Sequence, residues 1–114
     1  MLFRSQCMIE VIYYRKHNRV TVTGHANSGE SGHDLVCAAA SALAYTIAGN
    51  IGSLYTQESI KTPVIRLQEG DTELSCVPVS RMKHVVMLIF DSICTGFELL
   101  QTYYPENIKY EVRQ

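Results

Sequence analysis

The chain has 114 residues, 46% of them hydrophobic and 18% charged, with a formal net charge of −1. That balance supports one cored domain over residues 1–114; it excludes a disordered chain, and the length leaves no room for a second core. Without a Lys/Arg block, the chain lacks the basic face expected of a direct nucleic-acid partner. No uninterrupted apolar run approaches the roughly 20 residues of a membrane span. The opening MLFRSQCMIE is too polar for a signal peptide. The expectation is a cytoplasmic protein that does not engage a membrane.

In chain order, MIEVIYY (8–14) is rich in β-branched and aromatic residues and predicts a strand. HNR is a turn, and RVTVTGH alternates apolar and polar residues as a second strand ending near His25. Residues 26–33 are loop formers. From Asp34 the period changes: Val36, Ala40, Leu43, Ile47, Ile51 and Leu54 recur at helical steps, with Asp34 where an N-cap belongs. Gly49 and Gly52 should end or bend this helix, or admit close packing. After a Pro-containing turn, VIRLQ and TELSCVPV flank a hairpin centred on Gly70-Asp71. A second helix follows, with Ser80 as cap and Met82, Val85, Val86, Ile89, Ile93, Phe97 and Leu100 as its buried stripe. Pro105 stops it and NIKYEVRQ closes as a strand. The order β-β-α-β-β-α-β predicts an α+β domain, two helices packed on a mainly antiparallel sheet.

The cysteines are Cys7, Cys37, Cys76 and Cys94, with no CxxC pair, so a structural zinc site has little support. Three lie in apolar settings and read as core or near-core residues. Cys37 differs, because it lies within GHANSGESGHDLVCAAASAL (24–43). His25 ends a strand and Cys37 opens a helix, at about its third residue if Asp34 is the cap. Only a loop separates them, so the two side chains could meet across its mouth. Unpaired N–H groups and the dipole at a helix start favour a thiolate. A neighbouring imidazole would serve as general base and then acid, and backbone N–H groups could form an oxyanion hole. Asp34 works against a thiolate unless it is occupied by capping the helix or orienting His25.

Each residue also has a plainer reading. His25 could be a surface or hydrogen-bonded structural residue, Cys37 could face the core, and Ser41 could be helix filler. Gly29 and Gly32 could supply positive φ in a turn instead of a mobile lid. GESGHD lacks the lysine of a phosphate loop. His25, His33, Asp34 and Cys37 match no zinc spacing, so neither a metal nor another cofactor is expected.

The stretch 24–43 resembles the signature of the bacterial ribosomal-processing cysteine protease family (Prp), close to G-H-A-x-x-G-x-x-G-x-D-[IL]-V-C-A-x-x-S-A, and fills every position. The resemblance implies His25 as catalytic histidine and Cys37 as nucleophile. Asp34 and Ser41 fall on supporting positions, and Gly29–Gly32 falls on a flexible loop beside the active site. His33 falls on a variable position. The family's activity is removal of an N-terminal extension from large-subunit ribosomal protein twenty-seven, with aromatic residues just before the scissile bond. The implied partner is that N-terminal peptide, the implied assembly a homodimer, and the implied groove apolar. The small-residue run Ala38–Ala44 offers a flat helix face for such a dimer. The competing classes are a non-catalytic ribosome-associated assembly or binding protein and a thiol redox protein. The latter needs Cys7, Cys76 or Cys94 to resolve a disulfide.

Overall fold

The computed structural model describes residues 8–24 and 33–114, with backbone alone at positions 33 and 34. The elements are β1 (Ile9–Tyr14), β2 (Arg19–Thr23), α1 (His33–Thr56), β3 (Ile60–Gln68), β4 (Asp71–Pro78), α2 (Lys83–Tyr103) and β5 (Ile108–Arg113). They form a five-stranded sheet in the order β3-β4-β2-β1-β5, antiparallel except where β1 pairs with β5. The expected element order and the two helices on a mainly antiparallel sheet are what the structure shows.

Topology decides where the helices go. β2 and β3 both run antiparallel to β4, so β2-α1-β3 is a crossover between parallel strands that skips the strand between them. Crossovers of this kind share one hand, which brings both helices to the same sheet face. α1 lies over β3 and β4, α2 over β5, and the helices touch each other. The core between the layers holds Val11, Tyr13, Val20, Val36, Ile47, Ile51, Leu74, Val86, Phe90 and Phe97, all nearly inaccessible. The α1 stripe is buried as its spacing predicts, with Leu43 partly exposed.

Several local expectations change. α1 runs unbroken through Gly49 and Gly52, and neither serves a close packing contact, since a side chain at either position would meet open space. Pro63 lies within edge strand β3, where the register slips between Lys61 and Val64 and Thr62 has φ 52°. An edge strand with a bulge tolerates a residue that cannot donate to the ladder. The β3–β4 turn is Glu69-Gly70, since Gln68 pairs with Asp71; Gly70 supplies φ 75°. Ser80 opens a short 3₁₀ turn, with no side-chain cap hydrogen bond, and α2 begins at Lys83. Of the expected α2 stripe, Val86 and Phe97 are buried and Met82, Ile89, Ile93 and Leu100 pack partly buried against the core; Phe90 and Cys94 join it, while Val85 is exposed. By length and composition α1 and α2 could each cross a membrane, contrary to the reading of apolar runs, yet each buries one face against the sheet.

Candidate active site

The site lies at the sheet end where β2 leaves, β3 turns into β4 and α1 starts. Gly24 follows β2 and has φ 101°, and a Cβ there would collide with the Met8 carbonyl oxygen. Its N–H donates to the Gly70 carbonyl oxygen at 3.2 Å, tying the end of β2 to the hairpin tip. Only glycine fits this close, left-handed position. The chain is therefore fixed one residue before His25.

A cavity of about 540 Å³ opens there, lined by Gly24, Cys37, Ser41, Tyr45, Leu67 and Glu69 among others. Cys37, Ser41 and Tyr45 recur every four residues on one line of α1, so all three reach it. Leu67 reaches it from β3. Leu67 pairs with Thr72, and Thr72 with Val22, so these three side chains share the helix-facing side of the sheet. Tyr45 and Leu67 are exposed at 61% and 43%, apolar surface that the chain leaves uncovered beside Cys37.

Cys37 is half-buried and packs against the core cluster. Because α1 opens at His33, Cys37 is its fifth residue instead of its third. An α-helix directs the N–H of its fifth residue toward the carbonyl four residues back, unlike those of its first turn. The dipole also acts chiefly on the first turn, so the helix start helps a thiolate less than its expected position suggested. The other described cysteines are sealed away. Cys76 and Cys94 are both buried, and burial pushes their thiols up to about 11 and about 12 respectively. Both remain protonated at neutral pH and unsuited to attack.

Among the candidate residues, the structure places Cys37 and Ser41 in the cavity wall. His25, Gly29 and Gly32 lie outside the described residues, as do Cys7 and the side chains of His33 and Asp34. A backbone position in the first turn of α1 replaces the expected capping position of Asp34. Sequence reasoning missed Tyr45, Leu67, Glu69 and Thr72. Tyr45 was within reach, since it continues the four-residue step from Cys37 and Ser41. The hairpin residues come to the site only through long-range pairing with β2, which leaves no local signature. No cluster of His, Cys, Asp and Glu among the described residues could hold a metal ion.

Comparison with known proteins identifies the family. The family model described as "Cysteine protease Prp" matches residues 8–109. The ribosomal processing cysteine protease Prp of Staphylococcus aureus is 29% identical over 90 residues, covering 79% of this chain and 81% of that protein. SMU.848 from Streptococcus mutans has a crystal structure that superposes with a TM-score of 0.68 at 27% identity, covering 97% of both chains. The S. aureus Prp structure with a covalently linked product peptide superposes at 0.65 and 25% identity, covering 93% of this chain and 98% of that one. The chain belongs to the Prp family of cysteine proteases.

Proposed function

We propose that this protein is a cytoplasmic endopeptidase that removes the short N-terminal extension of large-subunit ribosomal protein twenty-seven, with Cys37 as nucleophile and His25 as general base and acid. The observation that carries the reading is that Cys37 and Gly24, the residue preceding His25, line one cavity. The imidazole of His25 takes the Cys37 thiol proton and the thiolate attacks the scissile carbonyl carbon. The C–N bond then breaks, the amine leaving with the proton from the imidazolium, and a thioester remains on Sγ. Water activated by the same imidazole hydrolyses it, releasing the new carboxylate and restoring the thiol. Asp34 orients His25 or serves the start of α1, and Ser41 borders the groove. The Gly29–Gly32 segment is the loop beside it. Tyr45, Leu67 and Val22 offer an apolar wall to the aromatic residues before the scissile bond. The S. aureus relative has been crystallised with a covalently linked product peptide, which supports a peptide substrate here. The enzyme acts as a homodimer.

The test is mass spectrometry of a peptide matching the N-terminus of the host's ribosomal protein twenty-seven, incubated with the parent chain and with Cys37→Ser. A single cut by the parent, reduced at least about 10³-fold in the variant at unchanged thermal stability, is the expected result. Equal cleavage by both would remove Cys37 from the mechanism. No cleavage by a folded, reduced parent would favour a non-catalytic ribosome-associated binding protein.

A further inference from the structure

No Lys/Arg block stands in the chain, yet the fold gathers the cations at one end. The strand register sets which end. Arg113, Tyr14, Arg19 and Ser75 lie abreast on β5, β1, β2 and β4, and Pro78 and Ile60 lie beyond them on β4 and β3. The turn between β1 and β2 docks there, the Cys76 N–H donating to the Asn18 carbonyl oxygen at 3.2 Å. The Val79 N–H donates to the Ser59 carbonyl oxygen at 3.0 Å, which sets the segment before α2 beside the segment after α1. Of the lysines and arginines among the described residues, only Arg66 and Lys109 lie elsewhere. Arg15, Arg19 and Arg113 at this end are paired with Asp91, Glu73 and Glu111. Lys16, Lys61, Arg81 and Lys83 are exposed and form no ion pair among the described residues. Against them stands Glu58, just after α1, the one described side-chain carboxylate of this end without an ion pair. The opposite end, where α1 starts, has Glu10, Glu69, Glu98 and Glu106 exposed and unpaired among the described residues. A net charge of −1 thus conceals a separation of charge along the molecule.

The four unpaired cations stand on different elements, spread across strands about 4.8 Å apart and across the step from sheet to helix layer. Such a spread does not converge on a single carboxylate; it matches anions repeated several ångströms apart along a backbone. The helices reach this end with their tips, the last turn of α1 and the first of α2. No amphipathic helix therefore lies flat along it to enter a bilayer.

We infer that this end is a docking surface for the phosphate backbone of RNA, held by Lys16, Lys61, Arg81 and Lys83. The choice of RNA among polyanions rests on the proposed ribosomal-protein substrate; the surface itself does not. Cys37 stands about 29 Å along α1 from Thr56, so the nucleophile is remote from the docked phosphates. The acidic end repels the same backbone, which orients the molecule with its basic end toward the RNA.

The test is fluorescence polarisation of a labelled RNA duplex of about 20 base pairs, titrated with the full chain between about 25 and 150 mM salt. The dissociation constant should rise with salt at a log–log slope of about 3, from four cations at about 0.8 each. Arg81→Gln with Lys83→Gln should weaken binding at least about fivefold at the lowest salt and halve the slope. Adding Lys16→Gln and Lys61→Gln should abolish binding. Lys109→Gln removes the same charge at the other end and should change the affinity less than about twofold. Every substituted residue is exposed, so the variants should keep parent-like circular dichroism and melting. No binding by the parent at the lowest salt, binding that survives in the quadruple variant, or an equal loss with Lys109→Gln would overturn the inference. So would polyglutamate or phosphatidylglycerol vesicles displacing the duplex as well as unlabelled RNA does, because the occupant would then be an acidic protein or a membrane. Peptide cleavage measured in parallel separates the two readings, and the quadruple variant should cut free peptide as the parent does. A parent that binds RNA through these residues but cuts no peptide loses the peptidase and keeps the surface; one that cuts peptide and ignores RNA does the reverse.

Discussion

At the scale of single residues, the polar contacts that matter most join the two layers away from the cavity. Tyr13 is 2% exposed on β1, and its hydroxyl donates to Asp91 Oδ1 on α2 at 2.7 Å. Arg15, just beyond β1, donates from Nε to the same oxygen at 3.0 Å and from Nη2 to Oδ2 at 2.9 Å. The guanidinium of Arg15, with help from the Tyr13 hydroxyl, holds the Asp91 carboxyl below its ordinary value. A carboxyl depressed in the folded state contributes stability above its unfolded pKa of ~3.9, and loses it as pH falls through the lower folded value. Asp91→Asn keeps an acceptor for Tyr13 but removes the charge facing Arg15. It should cost about 1 kcal/mol at pH 7, a modest figure because the pair is partly exposed. In urea titrations the gap between parent and variant should hold from neutrality to about pH 4 and close as the pH falls further. A gap independent of pH down to 2 would mean that the charge contributes nothing.

At the scale of elements, the sequence pattern was legible wherever one period controlled one face. The α1 stripe from Val36 to Leu54 translates directly into buried or partly buried positions, and Val20 and Val22 of β2 turn to the core, because a helix or strand has a fixed geometry once its apolar side is chosen. The signature stretch was legible for a different reason, its residue types standing at fixed steps. What failed depended on neighbours distant in sequence. Pro63 reads as a turn until β3 is known to be an edge strand, where no partner requires its missing N–H. Val85 reads as core until packing against the sheet selects the α2 face of Val86, Phe90, Cys94 and Phe97. The hairpin's contribution to the cavity depends on β4 pairing with β2, which no local pattern encodes. Gly49 and Gly52 read as ending or bending the helix, or as admitting close packing, although the spacing around them continues a helix. A Cβ at Gly49 meets nothing within 4 Å, and the residue is exposed in mid-helix. Gly49→Ala should therefore stabilise the fold by about 0.5–1 kcal/mol by reducing the freedom of the unfolded chain. A higher midpoint in urea at unchanged slope is the expected signature; a lower midpoint would show that the glycine is needed for close approach.

At the scale of the whole molecule, the two layers leave unequal outer faces. The sheet's far side carries the Arg19–Glu73–Arg66–Asp71 network and is suited to water. The helix layer presents Tyr45, Tyr55, Val85, Leu88 and Leu99 to solvent, each between 43% and 61% exposed. Of the run Ala38–Ala44, Ala40 and Ala44 are buried in the protomer, leaving Ala38 and Ala42 outward. A shallow groove of about 350 Å³ runs between the helices, lined by Thr46, Asn50, Val85, Leu88, Ile89 and Ile93. The proposed homodimer has an apolar open surface here, and two copies meeting through this face would cover it symmetrically. Light scattering of the parent at micromolar concentration should give about twice the mass of 12.8 kDa. Leu88→Arg places a charge on a side chain that is 49% exposed in the protomer, so folding is preserved while a charge buried between copies would be costly. That variant should run as a monomer with parent-like circular dichroism. A monomeric parent would remove the dimer, whereas a variant as dimeric as its parent would move the interface off the helix layer.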